Sequence, residues 1–292
     1  MIGRRAALAA AACALLLLSA LAVSSSIAAA ADPASDIVAR GEYVFATAGG
    51  CACHTPPDGV GLNAGGTKFD LAYGIGAVYA PNITPDAETG IGTWTDAQVT
   101  RAIRRGERPN GSKLFPIHPY KYLGRIADDE MEVLVAYLRS VKPIKSSVPP
   151  RSLRIPVPRL TIANPVRVAP RDGPARGAYL AGGAGHCTEC HTPRRFDFSP
   201  DDTKFLAGGP GPQGSVTANI TPHVETGIGR WTEAQIVRFL RTGVKPSGQE
   251  ASSLMKAVIV GTSAGFRDLT EADAAAIARY LKTVPPIENR VR

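Results

Sequence analysis

Cysteine is scarce in this sequence, with five residues in 292. That excludes a scaffold built on disulfides. Aromatic residues make up only 6%, while glycine (30) and proline (24) are plentiful, which points to many turns. No dense basic cluster is interleaved with aromatics, so nucleic acid is excluded as a partner. No constellation of general base and nucleophile stands out, which speaks against hydrolytic or acyl-transfer chemistry. Beyond the first residues no apolar run is long enough to cross a membrane. No run of alternating residues marks a strand. The length suits two ordinary domains, each with its own core.

The one long apolar run is at the start. Arg4 and Arg5 precede an apolar stretch from Ala6 to about Val23, and small residues follow to Ala29-Ala30-Ala31. This is the layout of a secretory signal peptide covering 1–31. The alanine-dominated run and its A-x-A favour cleavage after Ala31 over retention as an anchor. Cys13 leaves with the signal. So do two arginines, which lowers the formal charge from +8 to +6. A mildly positive surface suits steering of an acidic partner protein.

The chain repeats itself. Asn82-Ile83-Thr84-Pro85 returns as Asn219-Ile220-Thr221-Pro222, and Glu88-Thr89-Gly90-Ile91-Gly92 as Glu225-Thr226-Gly227-Ile228-Gly229, both at an offset of 137. Cys53-His54 and Cys190-His191 keep that offset, whereas Gly41, Tyr43 and Cys51 match Gly177, Tyr179 and Cys187 at 136. The register slips by one residue between Cys51 and Cys53. Toward the end of each unit the offset is 143, as in Tyr137-Leu138 and Tyr280-Leu281. Between the units, residues 144–172 hold six prolines from Pro149 to Pro170 and read as an extended linker. The units are then 32–143 and 173–288. Thr95 with Gln98, and Thr232 with Gln235, are capping boxes for helices that stop near Gly106 and Gly243. A last helix is predicted from about Asp128 to Ser140, and again from about Glu271 to Thr283.

Cys187-Thr188-Glu189-Cys190-His191 is a C-x-x-C-H signal for covalent haem attachment. Two thiols add across the porphyrin vinyl groups, and the adjacent histidine meets the iron. Cys51-Ala52-Cys53-His54 is the same pattern with one intervening residue deleted. Zinc would need four ligands, and this stretch offers at most three nearby. A disulfide between Cys51 and Cys53 would close a strained ring. Haem is the reading the surrounding repeat supports. Whether Cys51 forms a thioether beside Cys53 is open from sequence alone. Long loops in small domains need something large to pack against, and haem supplies that mass.

CACHT, CTECHTP, PNITPD and the pair ETGIGTW/ETGIGRW resemble the diheme c-type cytochrome family, over nearly the whole mature chain. Its members include cytochrome subunits of bacterial periplasmic dehydrogenases. The resemblance implies an all-α fold of two tandem class I cytochrome c domains, each wrapping one covalently bound haem c. In that fold the first and last helices cross with glycine against an aromatic, roles that Gly41 with Tyr137 and Gly177 with Tyr280 would fill. It assigns His54 and His191 as proximal iron ligands and Met255 as the axial methionine of the second haem. At Phe115-Pro116-Ile117-His118-Pro119-Tyr120, family sequences carry methionine where His118 stands. Imidazole is a good iron ligand, so the change reads as a swap to bis-histidine ligation. Met131 sits at the start of the last helix and reads as packing. His186 and His223 read as surface residues.

The function implied is single-electron transfer in the periplasm, with a dehydrogenase as donor and a respiratory cytochrome or oxidase as acceptor. Loose association with the membrane surface is compatible with this. The protein is then an electron carrier or a subunit of an enzyme rather than an enzyme itself. Methionine ligation raises haem potential, so the His118 site should be the lower of the two and feed the other. The rival reading is a haem enzyme, of diheme peroxidase or thiosulfate-oxidising type. It requires an open or labile sixth position at the first haem. A non-haem module using four thiols and two histidines is the other alternative.

Overall fold

Two helix pairs organise the chain, and each depends on a missing Cβ. The computed structural model describes residues 33–56, 58–211 and 214–291, so the predicted signal 1–31 and Cys13 lie outside the described residues. Helix α1 (Pro33–Thr47) packs along α4 (Asp128–Ser140), and α5 (Gly173–Gly182) along α9 (Glu271–Thr283). A Cβ on Gly41 would stand 2.0 Å from the Val133 carbonyl oxygen and 2.7 Å from Tyr137 Cβ. One on Gly177 would stand 2.0 Å from the Ala276 carbonyl and 2.8 Å from Tyr280 Cβ. Gly41 and Gly177 therefore meet the tyrosines expected of them.

A hydrophobic cluster surrounds each crossing. The first contains Phe45, Ile126, Met131, Leu134 and Leu138, with the Phe45 and Tyr137 ring centroids 5.0 Å apart. Met131 is 2% exposed, as its reading as a packing residue required. The second contains Leu180, Leu206, Ile259, Leu269 and Ile277.

Helices α2 (Asp96–Arg105) and α7 (Glu233–Thr242) begin with full capping boxes. Thr95 Oγ1 accepts from Gln98 N at 3.2 Å, and Gln98 Oε1 accepts from Thr95 N at 2.8 Å. Thr232 and Gln235 repeat this at 3.2 and 2.9 Å. Each helix ends on a left-handed glycine, Gly106 at φ 61° and Gly243 at φ 72°. The longer second repeat shows its extra residues as helix. Where the first has α3 (Tyr120–Leu123), the second has α8 (Ser253–Val260).

The architecture is helix-rich, and the few strands were invisible in the sequence. β1 (Lys68–Leu71) and β2 (Gly76–Tyr79) form an antiparallel hairpin with Lys68 opposite Tyr79, and β3 (Ser152–Leu153) joins β2 with Gly76 opposite Leu153. β4 (Gly209–Pro210) and β5 (Val216–Thr217) form a second, two-residue pair. Strands this short carry too few positions for a period of two to register. Residues 144–172 contain no helix, and they are tied along the first repeat. Asn82 Nδ2 donates to the Ile144 carbonyl at 2.7 Å, Arg154 N to Ile75 O at 2.8 Å, and Asp128 N to Val166 O at 3.0 Å.

From Pro33 on, the chain is one compact unit. A buried ionic cluster joins the repeats. Arg176 donates to Asp273 through Nε (2.9 Å) and Nη2 (2.8 Å), and to Glu130 Oε1 through Nη1 (2.7 Å). Tyr179 donates to Glu130 at 2.7 Å, and Tyr43 to Asp273 at 2.6 Å. Among the described residues no helix is long and apolar enough to cross a membrane.

Gly177→Ala forces the α5–α9 crossing apart and should lower stability by about 1–3 kcal/mol, read as a fall in the urea midpoint. Burial works to raise the pKa of Asp273, but its bonds from Arg176 and Tyr43 outweigh burial and hold it below 3.8. The stabilisation is therefore complete above the ordinary aspartate pKa and is withdrawn as pH falls through the depressed one. Asp273→Asn should flatten the acid limb of a stability-against-pH curve; an unchanged limb would show that the cluster does not contribute.

Candidate haem centres

The two cysteine-histidine motifs sit on turns of different pitch. Cys187–His191 forms a short α-helix, α6, closed by Thr192 N to Thr188 O at 3.2 Å. Gly49–His54 forms a 3-10 helix, closed by Thr55 N to Ala52 O at 3.1 Å. An α-helix takes 3.6 residues per turn and a 3-10 helix takes 3.0. Position 187 stands four residues, one α-turn, before His191. Position 51 stands three residues, one 3-10 turn, before His54. The deleted residue is absorbed by tighter winding, so first cysteine and histidine positions stay one turn apart in both motifs. The Cys51 side chain lies outside the described residues.

Each histidine is oriented by one backbone carbonyl. His54 Nδ1 lies 2.7 Å from Pro81 O, and His191 Nδ1 lies 2.7 Å from Ala218 O, 137 residues on. A carbonyl only accepts, so the ring proton is on Nδ1 and Nε2 keeps its lone pair for a metal. Burial lowers the pKa of both rings, with the carbonyl bonds opposing it. The two accepting carbonyls are held in turn by the Asn-Ile-Thr-Pro motif that follows each. Asn82 Nδ2 donates to Thr89 Oγ1 (3.0 Å) as well as to Ile144 O, while its Oδ1 accepts from Thr84 N (2.9 Å). Asn219 makes the same set with Thr226, Ile287 and Thr221.

Cys53, Cys187 and Cys190 are free thiols. Cys53 touches solvent, yet its surroundings desolvate it enough, with the Glu189 charge adding, to push it up to about 11. Burial likewise pushes Cys187 up to about 11. Both thiols are then neutral at physiological pH, unlike a thiolate metal ligand. Among the described residues no group of three or more His, Cys, Asp or Glu converges as a metal site.

His54 and His118 line one cavity of about 260 Å³, walled by Phe45, Ile91, Trp94 and Leu134 among others. His118 Nδ1 is buried with no hydrogen-bond partner. Burial, then the nearby His54, His186 and Arg108, press its pKa down to about 3. The ring is neutral and its lone pair available, as a metal ligand must be. An apolar chamber holding one oriented imidazole and one with an unpartnered nitrogen fits a haem.

The repeat relates His118 to Met255. Leu114 N bonds Gly106 O at 2.7 Å, and Ala251 N bonds Gly243 O at 2.7 Å, so the offset of 137 runs through this loop. His118 and Met255 then occupy equivalent positions, the latter on α8, half-buried against the second cluster, on which Cys187 also packs.

Two sequence expectations need correction. His186 is not a surface residue: its side chain is 18% exposed, and its Nδ1 lies 3.4 Å from Glu189 Oε2. Burial also lowers its pKa, against a bond involving the Ala48 backbone of the other repeat. His223 is half-buried, and its Nδ1 accepts from Thr226 N at 3.2 Å, as Asp86 Oδ1 accepts from Thr89 N at 2.7 Å. Sequence reasoning missed Glu189 and Arg194, which are paired at 2.8 Å: Glu189 fills an intervening position of the motif, which carries no signal, and Arg194 lies beyond it.

Helices crossing on glycine, and cysteine-histidine turns beside an apolar chamber, define a c-type cytochrome. The chain belongs to the diheme c-type cytochrome family: it is 36% identical over 268 residues to a protein named diheme cytochrome c-type from Cereibacter sphaeroides, covering 86% of each chain. It is 33% identical over 279 residues to the cytochrome c subunit of a quinone alcohol dehydrogenase from Gluconobacter oxydans, covering 88% of this chain and 57% of that one. It is 36% identical over 278 residues to a gluconate 2-dehydrogenase cytochrome c subunit from Pantoea cypripedii, covering 87% and 61%. The chain thus spans little more than half the length of these two subunits. No family model matches it. Covalently bound haem c comes with the family.

Asn82→Ala removes four bonds around the turn that presents Pro81 O. It should lower stability by about 1–3 kcal/mol, checked by thermal unfolding, with Asn219→Ala giving a similar loss.

Proposed function

We propose that the chain is a two-haem electron-transfer cytochrome of the periplasm, built as tandem class I domains over 32–143 and 173–288 and joined through 144–172. Cys51, Cys53, His54 and His118 would hold the first haem. Cys187, Cys190, His191 and Met255 would hold the second. The observation that carries the reading is the shared apolar cavity of His54 and His118. It also argues for a closed, bis-histidine first site over the open one that a peroxidase or sulfur-oxidising enzyme needs.

Haem supplies reversible one-electron chemistry at its iron; the protein sets potential, burial and docking. Arg108 lines the same cavity and is half-buried, and its side chain makes no hydrogen bond or ion pair with described residues. Such a cation suits the propionate carboxylates of the group. Met255 raises the potential of its site relative to the site of His118. That order favours single-electron flow from the first repeat to the second. A dehydrogenase is the donor proposed, since relatives bear the names of dehydrogenase cytochrome subunits. The acceptor proposed is a respiratory cytochrome or oxidase.

A pyridine haemochrome spectrum of periplasmically expressed protein, normalised to protein, should give two haems per chain. Redox titration should give two unequal waves, and His118→Met should raise the lower one. One haem per chain, equal potentials, or a His118→Met change in the upper wave would each defeat this account.

A further inference from the structure

The imidazole of His118 has no hydrogen bond to orient it through Nδ1. The Tyr120 ring lies 6.3 Å away and near-parallel. What fixes the ring is therefore the backbone turn that carries it, Phe115 to Pro119. That turn is gripped from the other repeat. Arg194 donates through Nη1 to the Pro116 carbonyl at 3.0 Å, and through Nη2 to Glu189 Oε1 at 2.8 Å. Pro116 is fully buried, and the Glu189 side chain is 8% exposed. Phe198, four residues after Arg194, packs edge-on against Phe115 with centroids 5.4 Å apart and planes at 84°. Glu189 itself belongs to the Cys187–His191 turn.

We propose that Arg194 is a positioning residue for the first haem: its forked guanidinium braces the His118 turn against the haem-attachment turn of the other repeat. The sixth ligand of one centre is then held in place by the covalent anchor of the other. A planar fork with fixed donor directions does this better than a flexible ammonium. At the offset of 137 the residue matching Arg194 is a proline, so the sequence does not repeat the guanidinium. The inference rests on His118 being the sixth ligand.

The test uses the haem-loaded full chain. Removing Arg194 alone strands a buried carboxylate, so Arg194→Ala is combined with Glu189→Gln. His118→Ala serves as the reference for an open site. The readouts are the ferric spin state, cyanide binding at neutral pH and the two potential waves. In the double variant the first centre should become partly high-spin and bind cyanide about tenfold or more faster than wild type, the scale of one lost charge-assisted bond. Glu189 lies in the attachment turn of the second haem, so Glu189→Gln alone is measured beside the double variant to account for any shift of the upper wave. The second centre should stay low-spin and closed to cyanide in both, whereas general loosening would open both centres. Arg194→Lys should fall between wild type and the double variant. If His118→Ala opens the site but the double variant stays low-spin and cyanide-resistant, the brace is wrong and the ligand reading stands. If His118→Ala leaves the spectrum unchanged, the ligand reading is wrong and the brace falls with it. Should the double variant fail to take up two haems, Arg194→Lys is judged by the same spin-state and cyanide criteria.

Discussion

The backbone contact at Gly41 and Gly177 is the constraint on which the rest depends. Each glycine lets two helices approach until a carbonyl of one occupies the space where a Cβ of the other would be. At that distance the apolar stripe of α4 faces α1 without a gap, and Leu134 and Leu138 reach past the crossing to wall the cavity that holds His54 and His118. The end of α1 is fixed by the same contact, and it delivers the chain directly into the 3-10 turn of the first motif. Helix crossing, cavity wall and histidine placement are one arrangement.

A second level of order joins the repeats. The Arg176 cluster holds one cation between two carboxylates with tyrosine hydroxyls completing their bonds. A buried ion pair adds little to stability over an apolar substitute, but breaking one is costly, so the cluster specifies one way of fitting the repeats together. Gly50 contributes to the same joint. With φ at 61° it brings its backbone against Ala264, whose carbonyl oxygen lies 1.7 Å from where a Cβ would stand. The equivalent position in the second repeat is His186, which tucks its ring toward the first repeat instead.

Much of this was legible in the sequence where a residue type has few alternative uses. The capping boxes, the left-handed glycines ending α2 and α7, and the bounds of α4 and α9 followed from local chemistry. The register slip between Cys51 and Cys53 was also legible. Its resolution was not, because only the backbone pitch tells a 3-10 turn from a broken α-turn. The strands escaped notice because pairs of two to four residues carry no period. The ties along 144–172 run largely through backbone carbonyls and amides, which no side chain advertises. Glu189, Arg194 and His186 were unreadable for another reason: their roles are set by what the other repeat places beside them. Sequence similarity between the repeats says nothing of that.

The Arg176 cluster also bears on how such a chain can change. Duplication ordinarily leaves two modules that can be exchanged, reordered or shed. Here the two copies carry equivalent groups: Arg40 and Tyr43 match Arg176 and Tyr179 at an offset of 136, and Glu130 matches Asp273 at 143. Each tyrosine donates across to the carboxylate of the other copy. The symmetry breaks at one side chain: Arg176 is buried between both carboxylates, whereas Arg40 is exposed. A joint assembled from two like halves has come to rest on one of its two arginines, so the halves have lost their interchangeability at a single position.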